Sequence, residues 1–72
     1  MDNVKPFRGK IENWKELTGV MFGVGIGGNI FGDERFEDGK YIFTSDVVNL
    51  DYENKKLETL NSVYELGKEY GV

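Results

Sequence analysis

The chain has 72 residues, 31% of them charged, and a net charge of −4. That length makes one small domain, whose core is marginal unless disulfides, a metal or self-association add to it. It holds no cysteine and no histidine, which excludes disulfides, thiolate nucleophiles, the usual zinc sites and the commonest general base.

Of the usual supports for a small core, self-association remains, so a homo-oligomer is expected. The acidic balance argues against a duplex nucleic-acid partner, which needs a basic face. It leaves room for a small anion held by one or two cations and backbone N–H groups. No apolar run approaches membrane-spanning length and the first ten residues are broken up by Asp2, Asn3, Lys5, Arg8 and Lys10, so neither a membrane partner nor a secretory leader is expected.

Residues 1–10 carry the only proline, Pro6, together with Lys5, Arg8 and Lys10, and read as an extended arm. Gly9 to Leu17 fits two structures. Ile11, Trp14 and Leu17 recur every three residues, which suits a helical turn or two, yet a short strand around Ile11 fits as well. Trp14 is a core residue on either reading, because a lone tryptophan supplies much of a small domain's buried area.

Gly19 to Gly28 alternates with period two, the signature of a strand. Val20, Phe22, Val24 and Ile26 fall on one face, and Met21, Gly23, Gly25 and Gly27 on the other. Bare glycines in a strand mark a bulge, a sharp coil or the close approach of something else. That neighbour is either another strand or subunit, or a flat ligand. The glycine spacing matches neither G-x-G-x-x-G nor G-x-x-x-x-G-K-[ST], so no phosphate loop is read here.

Asn29 to Phe31 continues the strand, and Gly32 to Gly39 forms an exposed, acidic tip. The tip lacks the order of a calcium loop and carries Arg35 among its carboxylates. Arg35 is one of only two arginines, and a solvated pairing with Glu37 or Asp38 is one account of it. Phe36 is either tucked under the tip or offered to a partner. Asp38-Gly39 is a tight-turn dipeptide feeding a strand from Lys40 to Ser45. Thr44-Ser45-Asp46 is a bend, Val47 to Leu50 resumes the strand, and Asp51 to Lys56 is a polar turn. Leu57 to Leu66 suits a helical stripe or a strand; Thr59, Val63 and Tyr64 favour the strand, ended by Gly67. Residues 68–72 are a polar tail that frays or docks on a neighbouring chain.

The whole reads as a single domain over residues 1–72, mainly β, a small antiparallel sheet or partly open barrel with room for one short helix. Its nucleophile candidates are hydroxyls with no histidine to activate them. Its paired carboxylates sit on a solvated tip that cannot move their pKa toward neutrality. No enzyme, and no cofactor, is expected. The remaining classes are a ligand-binding module and an acidic protein that inhibits a host nuclease, polymerase or CRISPR effector.

Gly28, Ile30, Gly32, Arg35, Phe36, Asp38, Gly39, Ile42, Thr44 and Ser45, followed by Thr59, Asn61, Ser62, Tyr64, Leu66 and Gly67, form a longer pattern. It resembles that of a class of very short bacteriophage proteins, G-x-I/V-x-G-x-x-R-F-x-D-G-x-x-I-x-T-S closing on T-x-N-S-x-Y-x-L-G. The likeness spans Gly28 to Gly67, over half the chain, and departs at Asp33-Glu34, where the class has His-Pro. The class is identified with the phage anti-CBASS sponges, small oligomers that sequester cyclic dinucleotides such as cGAMP. That resemblance implies a protein acting in the host bacterial cytoplasm, with Arg35 on a phosphate, Thr44 and Ser45 donating hydrogen bonds, and Phe36 or Tyr64 stacking on a base. Any contact made by the missing histidine is lost here.

Overall fold

A computed structural model describes residues 5–19, 23–44 and 46–71. Val20, Met21, Phe22 and Ser45 lie outside the described residues, as does part of the expected arm. Six strands follow one another: β1 (Phe7–Gly19), β2 (Gly23–Phe31), β3 (Lys40–Phe43), β4 (Val47–Asp51), β5 (Lys56–Thr59) and β6 (Val63–Leu66). They form one sheet in the order β3-β2-β1-β6-β5-β4, with β3 and β4 as its open edges. The fold is mainly β, as expected, and no helix occurs among the described residues. The sheet is mixed rather than purely antiparallel, because β1 and β6 run parallel.

β1 shows why a spacing of three mimicked a helix. Its register against β2 runs Glu12↔Asn29 and then Lys15↔Gly27, so two residues of β1, Asn13 and Trp14, oppose Gly28 alone. This is a β-bulge. Asn13 takes it up with φ of 53°, a left-handed conformation that asparagine tolerates better than most residues. The extra residue puts Ile11 and Trp14 on the same face, and both are buried.

The core joins Ile11 and Trp14 to Ile26, Ile30, Ile42, Leu57, Tyr64 and Leu66, with Phe36, Val47 and Leu50 packed against it. Full burial of an aliphatic side chain is worth about 1.5–3 kcal/mol, so Ile11, Ile26, Ile30 and Leu57, all at 0% exposure, carry much of the stability. On the other face Gly25 and Gly27 are covered by the chain itself. A Cβ on Gly25 would lie 2.5 Å from the Phe43 ring, and one on Gly27 would meet the Tyr41 hydroxyl and the Leu17 side chain. Aromatic rings of the adjacent strand therefore lie back across the glycine floor.

The stretch from Leu57 to Leu66 is two strands, not one. Thr59 and Ser62 close a turn between them: Thr59 N donates to Ser62 O (2.8 Å), and Thr59 Oγ1 accepts from Ser62 N (3.1 Å). Two hydroxyl residues flanking Leu60-Asn61 offer the backbone these local bonds, and the turn results. The two ends also differ from expectation. The expected arm is already β1 from Phe7 onward. The tail docks on its own chain: Tyr70 N donates to Trp14 O (2.8 Å) and the Trp14 indole Nε1 donates to Gly67 O (3.0 Å).

Gly28 faces the bulge so closely that a Cβ there would sit 2.5 Å from Ile11 Cγ2 and 2.9 Å from Glu12 O. Gly28→Ala is expected to destabilise the fold by about 1–3 kcal/mol through overpacking. A urea titration checks it, with the midpoint falling at an unchanged m-value.

Candidate functional site

The tip is built around Asp33. Its Oδ1 accepts from Arg35 N (2.9 Å), and its carbonyl accepts from Phe36 N (3.0 Å), so a turn forms over residues 33–36. The same carboxylate takes the Arg35 guanidinium in a fork, Nε to Oδ1 at 3.0 Å and Nη2 to Oδ2 at 2.7 Å. The partner of Arg35 is thus Asp33, not Glu37 or Asp38. Asp38 has another role: its Oδ1 accepts from Gly32 N (2.9 Å), while Gly39 N donates to Ile30 O (2.7 Å) where the hairpin closes.

The Asp33 carboxylate is buried, whereas Arg35 is 42% exposed. Hydrogen bonds from the Arg35 side chain hold the Asp33 carboxyl below its usual pKa, against the opposing effect of burial, with Arg8 contributing through its charge. The Arg35 guanidinium is raised in turn, first by Asp33 and then, once burial has acted against it, by Tyr64.

Three of the expected site residues meet here. Arg35 lies over the Phe36 ring, 5.1 Å from its centroid, and Arg35 Nη2 donates to the Tyr64 hydroxyl at 3.4 Å. Tyr64 is only 5% exposed and its ring belongs to the core, with Phe36 packed against that core. What these rings do here is support the arginine from below. Thr44 lies elsewhere, beyond the far end of β3, about 13 Å along the strand from Lys40 at the usual rise. Its Oγ1 accepts from Ile26 N (2.9 Å) and its own N donates to Ile26 O (2.8 Å). Ser45 falls outside the described residues.

Two residues that were not singled out complete the site. Phe7 and Arg8 line a small depression of about 170 Å³ together with Gly32, Asp33, Glu34 and Arg35. The β1–β6 register breaks between Phe7 and Gly9, where Gly9 has a φ of 149° and a Cβ would strike the Phe31 carbonyl. That irregularity sets Arg8 beside the tip, its Nε donating to Ser62 Oγ in a long bond of 3.4 Å. Phe7 is 64% exposed at the mouth. Both arginines of the chain therefore line one depression beside an open aromatic ring. The available signal was the scarcity of arginine itself, but Arg8 and Arg35 are brought together only by a parallel pairing across most of the chain length.

A larger space of about 330 Å³ lies under the tail, between Trp14 and Tyr52, and a neighbouring one of about 470 Å³ borders it. Both mix lysines with glutamates, Lys55, Lys68 and Glu69 around the first and Lys10, Lys55, Lys68, Glu12 and Glu65 around the second, and Lys10 is already paired with Glu12. Comparison with known protein families, curated proteins and solved structures finds no match to the chain.

The Asp33–Arg35 fork makes an acid-stability prediction. A carboxyl whose folded pKa is depressed stabilises the fold fully above its unfolded value, near 3.9, and loses that contribution as pH falls through the folded value. Arg35→Ala leaves a buried carboxylate without its main donor, a change expected to cost about 1–3 kcal/mol at neutral pH. The gap between wild type and variant should close as pH falls through the acid range, where both carboxyls are protonated. Acid titrations followed by circular dichroism read this directly.

Proposed function

We propose that this chain is a phage-encoded immune-evasion protein that binds and sequesters a cyclic dinucleotide defence signal of the cGAMP type without cleaving it. The observation that carries the reading is the meeting of both arginines with an exposed phenylalanine around one depression. The resemblance of the Gly28 to Gly67 pattern supplies the ligand class.

A cyclic dinucleotide offers two phosphates and two flat bases. Among the described residues the Arg8 side chain makes one long hydrogen bond, and Arg35 keeps part of its guanidinium at the surface, so the two together can take one phosphate. Phe7 can then stack on the attached base, an interaction worth about 1–3 kcal/mol in proteins that hold single strands. A second copy supplies the same groups to the other half of a two-fold ligand. This moves the stacking role from Phe36 and Tyr64 to Phe7, and shares the phosphate between Arg35 and Arg8. Sequestration requires affinity and no chemistry, which suits a chain without histidine or cysteine.

Arg8→Ala tests the reading better than Arg35→Ala, because Arg8 carries less of the fold. Calorimetry against a panel of cyclic di- and trinucleotides should show one of them binding wild type and raising its melting temperature by mass action. Loss of a charged hydrogen bond at about 1.5–3 kcal/mol should weaken that ligand in Arg8→Ala by about tenfold or more. Denaturing the complex should return the nucleotide intact. A chain that ignores every nucleotide and instead captures one host nuclease, polymerase or CRISPR effector would replace this reading with the inhibitor one.

A further inference from the structure

The two open edges of the sheet are not alike. β4 carries a bulge at Val48, since Val47 pairs with Thr59 and Asn49 with Glu58, and it ends on Asp51. Bulges and charges are the devices that stop an edge strand from pairing further. β3 has no bulge and its one charge, Lys40, stands at its first position: it reads Lys40-Tyr41-Ile42-Phe43 and pairs with β2 in unbroken register.

Parity identifies the groups that β3 leaves open. Thr44 N donates to Ile26 O, and Phe43 pairs with Gly27 and Ile42 with Gly28. In an antiparallel ladder, alternate residues point their N–H and C=O groups to opposite sides. Ile42 and Thr44 therefore bond toward β2, and Tyr41 and Phe43 present their backbone groups to the free edge. Their side chains are also the most open aromatics of the hairpin, 54% and 62% exposed. Those rings lean away from the edge onto Gly27 and Gly25, so they do not screen the backbone beside them.

We propose that this edge pairs with the same edge of a second copy, in antiparallel register about a two-fold axis at Ile42. Tyr41 of one copy then faces Phe43 of the other, and each such pair exchanges two backbone hydrogen bonds. The four rings lie on one face of a continuous twelve-stranded sheet, each pair leaning back over the glycines of its own copy. The register sets Lys40 against Thr44 of the other copy, so no like charges oppose each other within β3. Tyr41 and Phe43 flank the seam with roughly 200 Å² of ring surface per copy. The contact itself is a four-residue strand edge, well below the about 800 Å² per partner of a standard specific interface, which makes it a weak one. The dimer is accordingly concentration-dependent, and the charge of −4 on each copy makes it stronger at higher salt. The surface is separate from the Phe7–Arg8 depression, so the nucleotide reading and this one stand or fall independently.

Sedimentation equilibrium of the full chain up to millimolar concentration tests it, with circular dichroism confirming that each variant folds. Wild type should associate to a dimer, and Tyr41→Lys/Phe43→Lys, which places four lysines across the axis, should remain monomeric. Tyr41→Lys/Phe43→Glu should dimerise again, because the register sets Lys against Glu twice. A wild type that stays monomeric throughout, a dimer that survives the double-lysine change, or a Lys/Glu variant no better than the double-lysine one would each overturn the proposal. If the double-lysine variant unfolds, Tyr41→Pro tests the same edge and should likewise stay monomeric, since the N–H it removes along with the ring faces the free edge and not β2.

Discussion

Everything in this sheet hangs on the parallel contact between β1 and β6. The order β3-β2-β1-β6-β5-β4 divides into two antiparallel meanders, one from each half of the chain, and this ladder alone joins them within the sheet. Its register sets Gly9 beside Tyr64 and Ile11 beside Leu66, so the main hydrophobic side chains of the two halves are sealed in one operation. Lys5 then ties the start of the chain to Glu58 (2.6 Å) and Thr59 O (2.8 Å), while the tail closes over Trp14 from the other side. Such pairing brings together residues more than fifty positions apart, so it must overcome the loop-closure entropy of most of the chain.

The same ladder makes the candidate site. The tip could be built by the first meander alone, since Asp33 and Arg35 satisfy each other and Asp38 takes the Gly32 N–H. Arg8 lies at the irregularity where β1 begins to pair with β6, and Ser62 holds it there. Tyr64 reaches the Arg35 guanidinium only because β6 is seated against β1. A site assembled across the junction of two halves exists only in the complete fold, which couples any ligand bound there to the stability of the whole domain.

What could be read from the chain beforehand follows the range of the interactions. The alternation of β2 from Gly23 to Gly28, the Asp38-Gly39 turn and the strand at Lys40 are set by neighbouring residues, and they were legible; that Gly19 ends β1 and pairs with Gly23, instead of opening the same strand, was not. The bulge at Asn13-Trp14 was not, because one inserted residue turns a period of two into an apparent three. The Thr59–Ser62 turn was missed for a related reason: apolar residues continue on both sides of it, and its closure lies in two hydroxyls. Phe7 and Arg8 were illegible as a site because a parallel pairing leaves no local trace. The longer pattern fares differently again. Ile30 and Ile42 are core, Gly28 meets Ile11, Asp38 caps Gly32, Thr44 caps Ile26 and Thr59 closes a turn. Nearly every described residue of that pattern has a structural reason to be where it is, so the pattern specifies a fold more directly than a ligand.

That leaves the departure from the pattern as the informative position. Where the resembling class carries His-Pro ahead of Arg-Phe, this chain carries Asp33-Glu34. A proline before the arginine would stiffen the turn through its fixed φ. Here the turn is stiffened by the Asp33 carboxylate instead, which bonds the Arg35 backbone and side chain together. The constraint on this turn is thus electrostatic rather than covalent, and Arg35 has a resident anion. A phosphate arriving at this tip meets an arginine already half neutralised, and the partially free cation beside it is Arg8. On the proposed reading, recognition is therefore carried from the start of β1 by Arg8, a residue outside the pattern, as well as from the tip.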